Sequence, residues 1–473
     1  MEAGTIVYII LLIIWIVPSA IGLWKLFEKA GEAGWKAIVP IYNAVIWLQL
    51  IGRPVWWIIM LFIPVVGLLV LAVMIIDLIK SFGKFGLGAQ LAAIFFPFIY
   101  LPYLAFSDAR YYGKGSKLER PGGKRSEARE WADAIIFALI AATVIRWFLI
   151  EAFTIPSSSM EKSLLIGDFL FVSKVHYGPR IPNTPLSFPL VHNTLPVFGT
   201  KSYIELLQLP YNRLPGFRDV ERMEAVVFNY PREDGRPVDK KDNYIKRCVG
   251  IPGDSLSIVD QMIHIDGVAL PQPEESQFTF EVVTEQPIFN KRMLRKYDIT
   301  EYQALNSTNY QIKMTEVAAA EIAAIPVVKD VKKIVLPKGF KQPEIYPFEP
   351  ELQWNIDNYG PVYLPRKGDR IAMTVHNYHV YERPIKVYED NPSLELRDSI
   401  VYLNGQPLEE YEFKMGYYWM MGDNRHNSLD SRMWGFVPEN HIVGKPLFIW
   451  MSWDTDGGGL SKIRWGRLFN LIH

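Results

Sequence analysis

The sequence has very little cysteine and no excess of charge of either sign. Cys248 is the only cysteine among 473 residues, so the chain can form neither an intrachain disulfide nor a cysteine-based zinc site. Fifty Lys and Arg residues balance fifty Asp and Glu residues, and no global charge points to nucleic acid. Neither a His-Glu-x-x-His nor a Gly-x-Ser-x-Gly segment is present, which argues against a zinc protease and an α/β-hydrolase. No metal or other cofactor is expected.

Long apolar runs dominate the first third of the chain. Each is long enough to cross the hydrocarbon core of a bilayer, and 14 Trp, 24 Tyr and 26 Phe fit a chain that lies partly in lipid. The predicted spans are residues 5–24, 55–76, 86–106 and 131–153. Residues 1–130 are thus predicted to be a multi-span membrane region with a basic loop. The last transmembrane helix, 131–153, carries Arg146 and its possible partner Glu151 near one end.

Loop charges predict which side of the membrane each part faces. Residues 107–130 carry seven Lys or Arg residues and should be cytoplasmic, which places everything after about residue 153 outside. Residues 37–52 are apolar but short, and two alternatives remain for them. They are either an interfacial or re-entrant piece, or a true span that would move only the N-terminus to the other side.

Beyond residue 153 the sequence predicts a mostly-β structure. Short apolar runs are bounded by Gly, Pro, Asn and Asp, as in all-β domains. The predicted strands are 168–174, 225–229, 255–258, 262–265, 333–336, 370–375, 400–403 and 446–450. One helix is predicted over 314–325, with Thr315 as its N-cap. Residues 154–274 and 399–473 are predicted to form a β-rich domain with an α+β subdomain, 275–398, inserted into it or partly duplicated from it.

Three polar segments contain residues that could carry chemistry. They are residues 155–160 (IPSSSM), residues 242–254 (DNYIKRCVGIPGD) and residues 421–435 (MGDNRHNSLDSRMWG). Each alone has an ordinary structural explanation: a loop or cap, a surface lysine on a strand, and a turn held by Asp–Arg pairs such as Asp430 with Arg432. A serine nucleophile needs a base, and a lysine can serve if burial lowers its pKa enough to leave it neutral.

Together and in this order, the three segments resemble those of bacterial type I signal peptidases (leader peptidases), membrane proteases with a serine/lysine dyad. The resemblance implies a mostly-β catalytic domain of the signal peptidase/LexA-like kind. The multi-pass α-helical membrane anchor and the inserted α+β subdomain predicted above are not part of the family's common pattern. It implies Ser159 as the nucleophile and Lys246 as its base. Ser157, with the backbone N–H of Ser159, would hold the oxyanion. Ser428 would orient Lys246.

The resemblance also implies binding and supporting residues, and it covers about 150–275 and 400–473. Shallow apolar pockets for small side chains would be lined by Ile155, Met160, Leu164, Tyr244 and Ile245. Structural residues near the dyad would be Asp423, Arg425, Asp430 and Arg432. No metal site is implied.

Two positions depart from the family pattern. His426 stands where the family usually has Asp, and Met223 stands where it usually has Gly, so the turn at Met223 must differ. Neither change touches the predicted dyad. Three tryptophans near the C-terminus have two interpretations, either a seat in the membrane interface or ordinary core packing. They are Trp434, Trp450 and Trp453.

Two other functions are weighed against this one. A Ser-His-Asp hydrolase would use His426 near Asp423 or Asp430. A membrane-anchored β-rich scaffold would leave Ser159 and Lys246 without a catalytic role.

The expected function is removal of N-terminal signal peptides from secreted preproteins, with cleavage after small residues at an Ala-x-Ala-like site. The expected location is the cytoplasmic (inner) membrane of a bacterium, with a multi-pass anchor and the catalytic domain on the extracytoplasmic (periplasmic) side. The expected partners are secretory preproteins with their signal peptides and the lipid bilayer, and no nucleic acid. The protein translocase is a further candidate partner for the subdomain or the extra spans.

Overall fold

The computed structural model describes residues 3–61, 66–119, 127–196, 198–349, 351–454 and 462–472. The chain divides into two compact units, Met1–Val144 and Ile145–His473. The first unit is helical and the second is mostly β, and each has its own hydrophobic core.

Helices make up the described part of the first unit. Phe27, Leu48 and Leu104 are among the fully buried residues of its core. The helices are α1 Ala3–Lys29, α2 Tyr42–Ile51, α3 Trp57–Leu61, α4 Val66–Ser81, α5 Leu87–Phe95, α6 Pro97–Phe106 and α7 Glu127–Phe148, with 3-10 turns at Gly34–Ala37 and Gly115–Lys117. The last of these, α7, runs on into the second unit.

The predicted membrane spans do not correspond one to one with these helices. Within the described residues, no single helix is both long and apolar enough to cross a membrane. α5 and α6 pass that test only as a pair, and they are bent by 119° relative to each other. The short segment at 37–52 contains α2, whose ten residues extend about 15 Å, or about half of a hydrocarbon core. Residues 62–65 of the predicted span 55–76 lie outside the described residues.

Among the described residues, the second unit contains strands β1 to β20 and the short α-helices α8 to α11. The strands are β1 Ile150–Thr154, β2 Asp168–Ser173, β3 Ala225–Asn229, β4 Asn243–Gly250, β5 Ser255–Val259, β6 Met262–Ile265, β7 Val268–Ala269, β8 Gln277–Thr284, β9 Glu301–Ala304, β10 Asn309–Thr315, β11 Val328–Lys333, β12 Tyr359–Tyr363, β13 Arg370–Ala372, β14 Glu395–Arg397, β15 Ile400–Leu403, β16 Gln406–Pro407, β17 Glu410–Glu412, β18 Tyr417–Met421, β19 Val437–Pro438 and β20 Ile442–Ser452. The helices are α8 Lys291–Lys296, α9 Glu316–Ala323, α10 Val375–Arg383 and α11 Ser431–Trp434.

A seven-stranded antiparallel sheet forms the centre of this unit. Its strand order is β1-β2-β20-β3-β4-β18-β19, so strands far apart in sequence become neighbours. The fold class predicted for this part of the chain, mostly β, is confirmed. Strands β3, β6 and β15 have the predicted bounds, and β2 and β5 differ from them by one residue.

Two strand predictions and one helix prediction differ from the structure at their ends. The strand predicted at 333–336 is wrong, because β11 already ends at Lys333. The strand predicted at 370–375 stops at Ala372, because Thr374 caps α10 by accepting from the Asn377 N–H at 3.1 Å. The helix predicted at 314–325 is α9, and its predicted cap is confirmed, since Thr315 accepts from the Ala318 N–H at 3.2 Å.

The helix predicted at 131–153 is wrong at its C-terminal end. α7 stops at Phe148, and the following residues form β1, paired antiparallel with β2. Glu151 on β1 accepts from Arg146 at 2.5 Å, as predicted, and also from Lys174 at 2.7 Å. A short apolar run does not distinguish a helix from a buried strand, and here strand pairing decides.

The range 275–398, predicted as one inserted subdomain, divides between two environments. Residues Gln277–Lys333 form a separate four-stranded sheet of order β11-β8-β10-β9, called the small sheet below, with its own core. Farther along, β12 pairs with β5 and β13 pairs with β17. Tyr359 and Tyr381 share the core of Leu256 and Trp419, so the second half of the range is built into the surrounding β structure.

One methionine and three tryptophans singled out by the sequence lie in different surroundings. Met223 has a φ of +67°, the left-handed region that glycine adopts most easily. Its backbone is therefore glycine-like despite the side chain, contrary to the expectation that the turn must differ. Trp434 is 1 % exposed and packs in the core, so the membrane-interface interpretation is wrong for it. Trp450 is half-buried against Phe169 and Phe171, whereas Trp453 is 41 % exposed.

Candidate active site

Ser159 lies in a short 3-10 turn, Ser158–Met160, between β1 and β2. Ser157 before the turn has an extended backbone with φ −135°. Met160 is fully buried with Leu164 and fixes the turn to the core directly after the nucleophile position. The Ser159 side chain itself is half-buried.

Lys246 reaches Ser159 from the middle of the seven-stranded sheet. It lies on β4 opposite Val226 of β3, and 3 % of it is exposed. Its Nζ donates to Ser159 Oγ at 2.7 Å and to the Ile245 carbonyl at 2.8 Å. The first distance is short enough for direct proton transfer between the two side chains.

Burial brings the pKa of the Lys246 amine close to physiological pH. It lowers the pKa of Lys246 to about 8, against the opposing effect of the Asp430 and Asp423 carboxylates. Each of those carboxylates is bonded to an arginine, so neither compensates the lysine charge fully. At pH 7 about one Lys246 amine in ten is therefore free to accept a proton.

A cleft of about 490 Å³ leads to the two side chains. Four of the predicted substrate-binding residues line it, namely Ile155, Met160, Tyr244 and Ile245. Leu164 does not line the cleft and instead packs beside Met160 in the core. The sequence missed the other lining residues, Phe153, Thr154, Pro156, Leu170, Val227, Asp242 and Asn243. The largely apolar walls suit small apolar side chains.

Ser157 lies at the edge of the site. Its side chain is exposed, and its Oγ is 3.4 Å from Ser159 Oγ. A hydroxyl at this position can donate to a substrate oxygen held next to Ser159.

Asp423 and Arg247 form a buried ion pair beside the dyad. Arg247 donates to the two carboxylate oxygens at 2.8 and 2.7 Å, and the Ser163 hydroxyl adds a bond at 2.6 Å. Burial alone would raise the pKa of Asp423, but these bonds hold it below its usual range. Arg247 follows Lys246 on β4, and Asp423 follows β18. The pair therefore connects β4 to the third polar segment, residues 421–435, which is called the third motif below.

Asp430 and Arg432 form a second buried ion pair, as the sequence predicted. Arg432 donates through Nε at 2.9 Å and Nη2 at 2.8 Å. Asp430 also caps α11 and accepts from the Gly422 N–H at 3.1 Å. The third motif is therefore a rigid turn.

Two predicted residues, Arg425 and Ser428, have buried side chains that make no hydrogen bond within the described part of the chain. Burial lowers the pKa of Arg425 to about 10. Ser428 lies against Gly422 and close enough to Asp430 to favour the ionised form of that carboxylate. Since Ser428 Oγ does not bond Lys246 here, its orienting role stays a prediction.

The His426 side chain forms its hydrogen bonds with Thr279 and Asp357 and not with Ser159. Its Nδ1 accepts from the Thr279 N–H at 3.0 Å, which leaves Nε2 to donate to Asp357 at 2.8 Å. Asp423 and Asp430 are bonded to arginines instead, so neither pairs with His426 as the Ser-His-Asp alternative requires.

Known proteins resemble both parts of the chain. Residues 35–114 match a family of unknown function, DUF5684. Residues 128–322 and 366–453 match the family described as signal peptidase, peptidase S26. This match runs through most of the small sheet, beyond the limit of 275 inferred from the motifs, and leaves 323–365 unmatched between its two parts.

Individual relatives extend over most of the chain. Signal peptidase I of Buchnera aphidicola subsp. Acyrthosiphon pisum is 27 % identical over 67 % of this chain and 73 % of the relative. Signal peptidase I of Pseudomonas aeruginosa is 26 % identical over 68 % and 72 %, respectively. Signal peptidase I of Haemophilus influenzae is 26 % identical over 73 % and 76 %. The chain belongs to the signal peptidase family, peptidase S26, and is a signal peptidase I enzyme.

Proposed function

We propose that this enzyme removes N-terminal signal peptides from secretory preproteins, with Ser159 as the nucleophile and Lys246 as the general base. The observation that carries the proposal is the 2.7 Å distance between Lys246 Nζ and Ser159 Oγ at the end of an open cleft. No other base is needed for this chemistry.

The proposed reaction has two stages. Ser159 Oγ attacks the scissile carbonyl carbon while neutral Lys246 takes its proton, and Lys246 then gives that proton to the leaving amine. A water molecule hydrolyses the acyl-enzyme in the second stage, again with Lys246 as base. The Ser157 hydroxyl and the Ser159 N–H would donate to the oxyanion, where losing one donor typically costs about 3–4 kcal/mol of transition-state stabilisation.

The cleft supports a preference for small side chains before the cleaved bond. Ile155, Leu170, Val227 and Ile245 give it apolar walls. We propose that an Ala-x-Ala-like segment lies extended along residues 153–157 and residues 242–246, which both line the cleft.

We further propose a multi-pass anchor in the cytoplasmic membrane, with the catalytic unit on the extracytoplasmic side. The apolar runs and basic loop of the sequence support this location. The loop after β2 adds support, since it exposes apolar side chains and reaches the cleft through Asn193, which donates to Asp242 at 2.8 Å. Its exposed residues include Leu186, Phe188, Leu190, Phe198, Ile204 and Leu206.

Preprotein cleavage by the full-length chain tests the catalytic roles. Ser159→Ala and Lys246→Met should each reduce the rate at least 1,000-fold, roughly the scale seen when a catalytic nucleophile or base is removed. Lys241→Met is the matched control, because burial also lowers the pKa of Lys241 to about 8 but its Nζ lies 3.3 Å from His441 Nε2. The dyad would be rejected if Lys246→Met kept the wild-type rate while His426→Ala lost activity.

A further inference from the structure

The small sheet contacts the nucleophile turn through one carboxylate, that of Glu301 at the start of β9. Asn427 Nδ2 donates to both Glu301 oxygens at 2.8 Å, and Asn424 Nδ2 donates to one of them at 3.2 Å. Burial would raise the pKa of Glu301, but Lys313, the nearby Ser158 hydroxyl and Asn427 hold it below its usual value. Glu301 therefore binds two residues of the third motif and lies close to the residue before Ser159.

The two asparagines also hold the turn directly. Asn424 donates through Nδ2 to the Ser158 carbonyl at 3.1 Å and through its backbone N–H to the Ser159 carbonyl at 3.2 Å. Asn427 Nδ2 donates to Ser158 Oγ at 3.1 Å. Each asparagine thus bridges Glu301 and the turn, and only two hydrogen bonds separate the carboxylate from Ser159.

Other contacts hold the Glu301 carboxylate and the small sheet in place. Lys313 on β10 donates to Glu301 at 2.7 Å. Lys162, three residues after Ser159, pairs with Asp298 at 2.7 Å. The Gln277 N–H on β8 donates to the Asp423 carbonyl at 2.8 Å. The small sheet is thereby attached to the third motif as well as to the turn.

We propose that Glu301 is a positioning residue that fixes Ser159 in front of Lys246. Asn424 and Asn427 of the third motif converge on this carboxylate together with Lys313, and an ionised carboxylate accepts from all three without offering a donor. Without it the turn loses part of what sets its position. The inference rests on the proposed function, because it assumes that Ser159 attacks the substrate.

The position of Glu301 predicts which kinetic constant should change. Glu301 does not line the cleft, so substrate binding should be little affected. A displacement of a reacting group by about 1 Å can cost about 100-fold in rate. Loss of Glu301 should therefore lower kcat and leave KM nearly unchanged.

The test compares full-length variants in cleavage of a preprotein and of a short peptide. We expect Glu301→Ala to lower kcat per folded molecule about 10- to 100-fold, with KM within about twofold of wild type. Glu301→Gln should lose less, since its amide keeps one acceptor oxygen. The matched control is Glu316→Ala, which removes another carboxylate near the small sheet. The Glu316 side chain is 61 % exposed and pairs with Lys333 at 2.6 Å. It should behave as wild type.

A second readout separates positioning from simple loss of folded protein. A displaced turn would leave Lys246 more open to water, so the midpoint near pH 8 in the pH profile of kcat/KM should move upward in Glu301→Ala and stay in place in Glu316→Ala. Unchanged kcat in Glu301→Ala, or a loss of activity that follows the unfolded fraction with an unchanged midpoint, would overturn the inference.

Ser159→Ala and Lys246→Met belong in the same assay. If either of them cleaves normally, the proposed function fails. If both are inactive and Glu301→Ala is fully active, the dyad stands and the positioning role of Glu301 alone fails.

Discussion

The Lys246 amine is buried, and the neighbouring carboxylates of Asp423 and Asp430 form ion pairs with arginines. Because burial lowers its pKa to about 8, the fraction of neutral lysine rises about tenfold per pH unit below that value and levels off above it. We therefore expect kcat/KM to rise through neutral pH with a midpoint near 8, measured with a neutral peptide substrate. A profile that is flat between pH 6 and 9 would contradict Lys246 as the base.

The same burial should make Lys246 costly for stability. Below pH 8 the lysine is charged in both folded and unfolded states, and the folded state carries the full cost of a buried charge. Between pH 8 and the unfolded value of 10.5 the folded state releases its proton first, so this cost fades as pH rises. We expect Lys246→Met to raise the free energy of unfolding by about 1–3 kcal/mol at pH 7 and by much less near pH 10.5.

Denaturant unfolding at the two pH values measures this difference. Equal stability of Lys246→Met and wild type at pH 7 would mean that water or a neighbouring carboxylate compensates the charge. Lys241→Met, at a second buried lysine, shows whether any effect is particular to the site.

At the residue scale, the sequence predicted the contact between Ser159 and Lys246 because both stand in ordered motifs with a known pattern. It did not predict Glu301, which stands 123 and 126 residues before its asparagine partners in a region without a motif. No local pattern marks such a pair. Arg247 belongs to the second motif, but its bond to Asp423 is equally non-local and depends on the pairing of β4 with β18.

At the element scale, Gly422, the residue after β18, packs closely against the nucleophile turn. A Cβ added at Gly422 would lie 2.5 Å from the Ser159 carbonyl oxygen and 2.2 Å from Ser428 Oγ. These two segments can approach each other only because residue 422 has no side chain. Gly422→Ala should therefore push the turn away from Lys246 and lower kcat about 100-fold or more.

Peptide cleavage by Gly422→Ala, with kcat and KM measured separately, checks this expectation. Gly235→Ala is the matched control, since nothing lies within 4 Å of a Cβ added there. Activity within twofold of wild type in Gly422→Ala would show that the two segments separate without moving Ser159.

Turns were more predictable than the ends of helices and strands. The Asp266–Gly267 and Asn404–Gly405 hairpins both have positive φ at the two central residues, as their residue types predict. The change from α7 to β1 was not predicted, because the apolar run continues across it and its end is set by pairing with β2. Local chemistry thus determines turns, whereas long-range pairing determines where these elements end.

At the scale of the whole molecule, the chain matches two different families in successive parts. Residues 35–114 match a family of unknown function, whereas the peptidase match begins at residue 128. Every hydrogen-bond partner given above for the dyad and for Glu301 lies between Ile145 and His473, and this unit has its own cores. The catalytic geometry should therefore form without the first unit.

A chain that begins at Ile145 tests this separation. We expect it to fold and to cleave a short soluble peptide within about tenfold of the full-length rate, since the cleft and dyad are intact. The fragment should lose the higher rate that the full chain has on a preprotein embedded in lipid vesicles. A shared membrane raises the effective concentration of enzyme and substrate by about 100-fold or more. The same fragment with Lys246→Met should cleave neither substrate. A fragment that folds but does not cleave the short peptide would show that the helical unit contributes to catalysis itself. An equal loss of activity on both substrates, in a fragment that is partly unfolded, would show that the helical unit stabilises the peptidase unit.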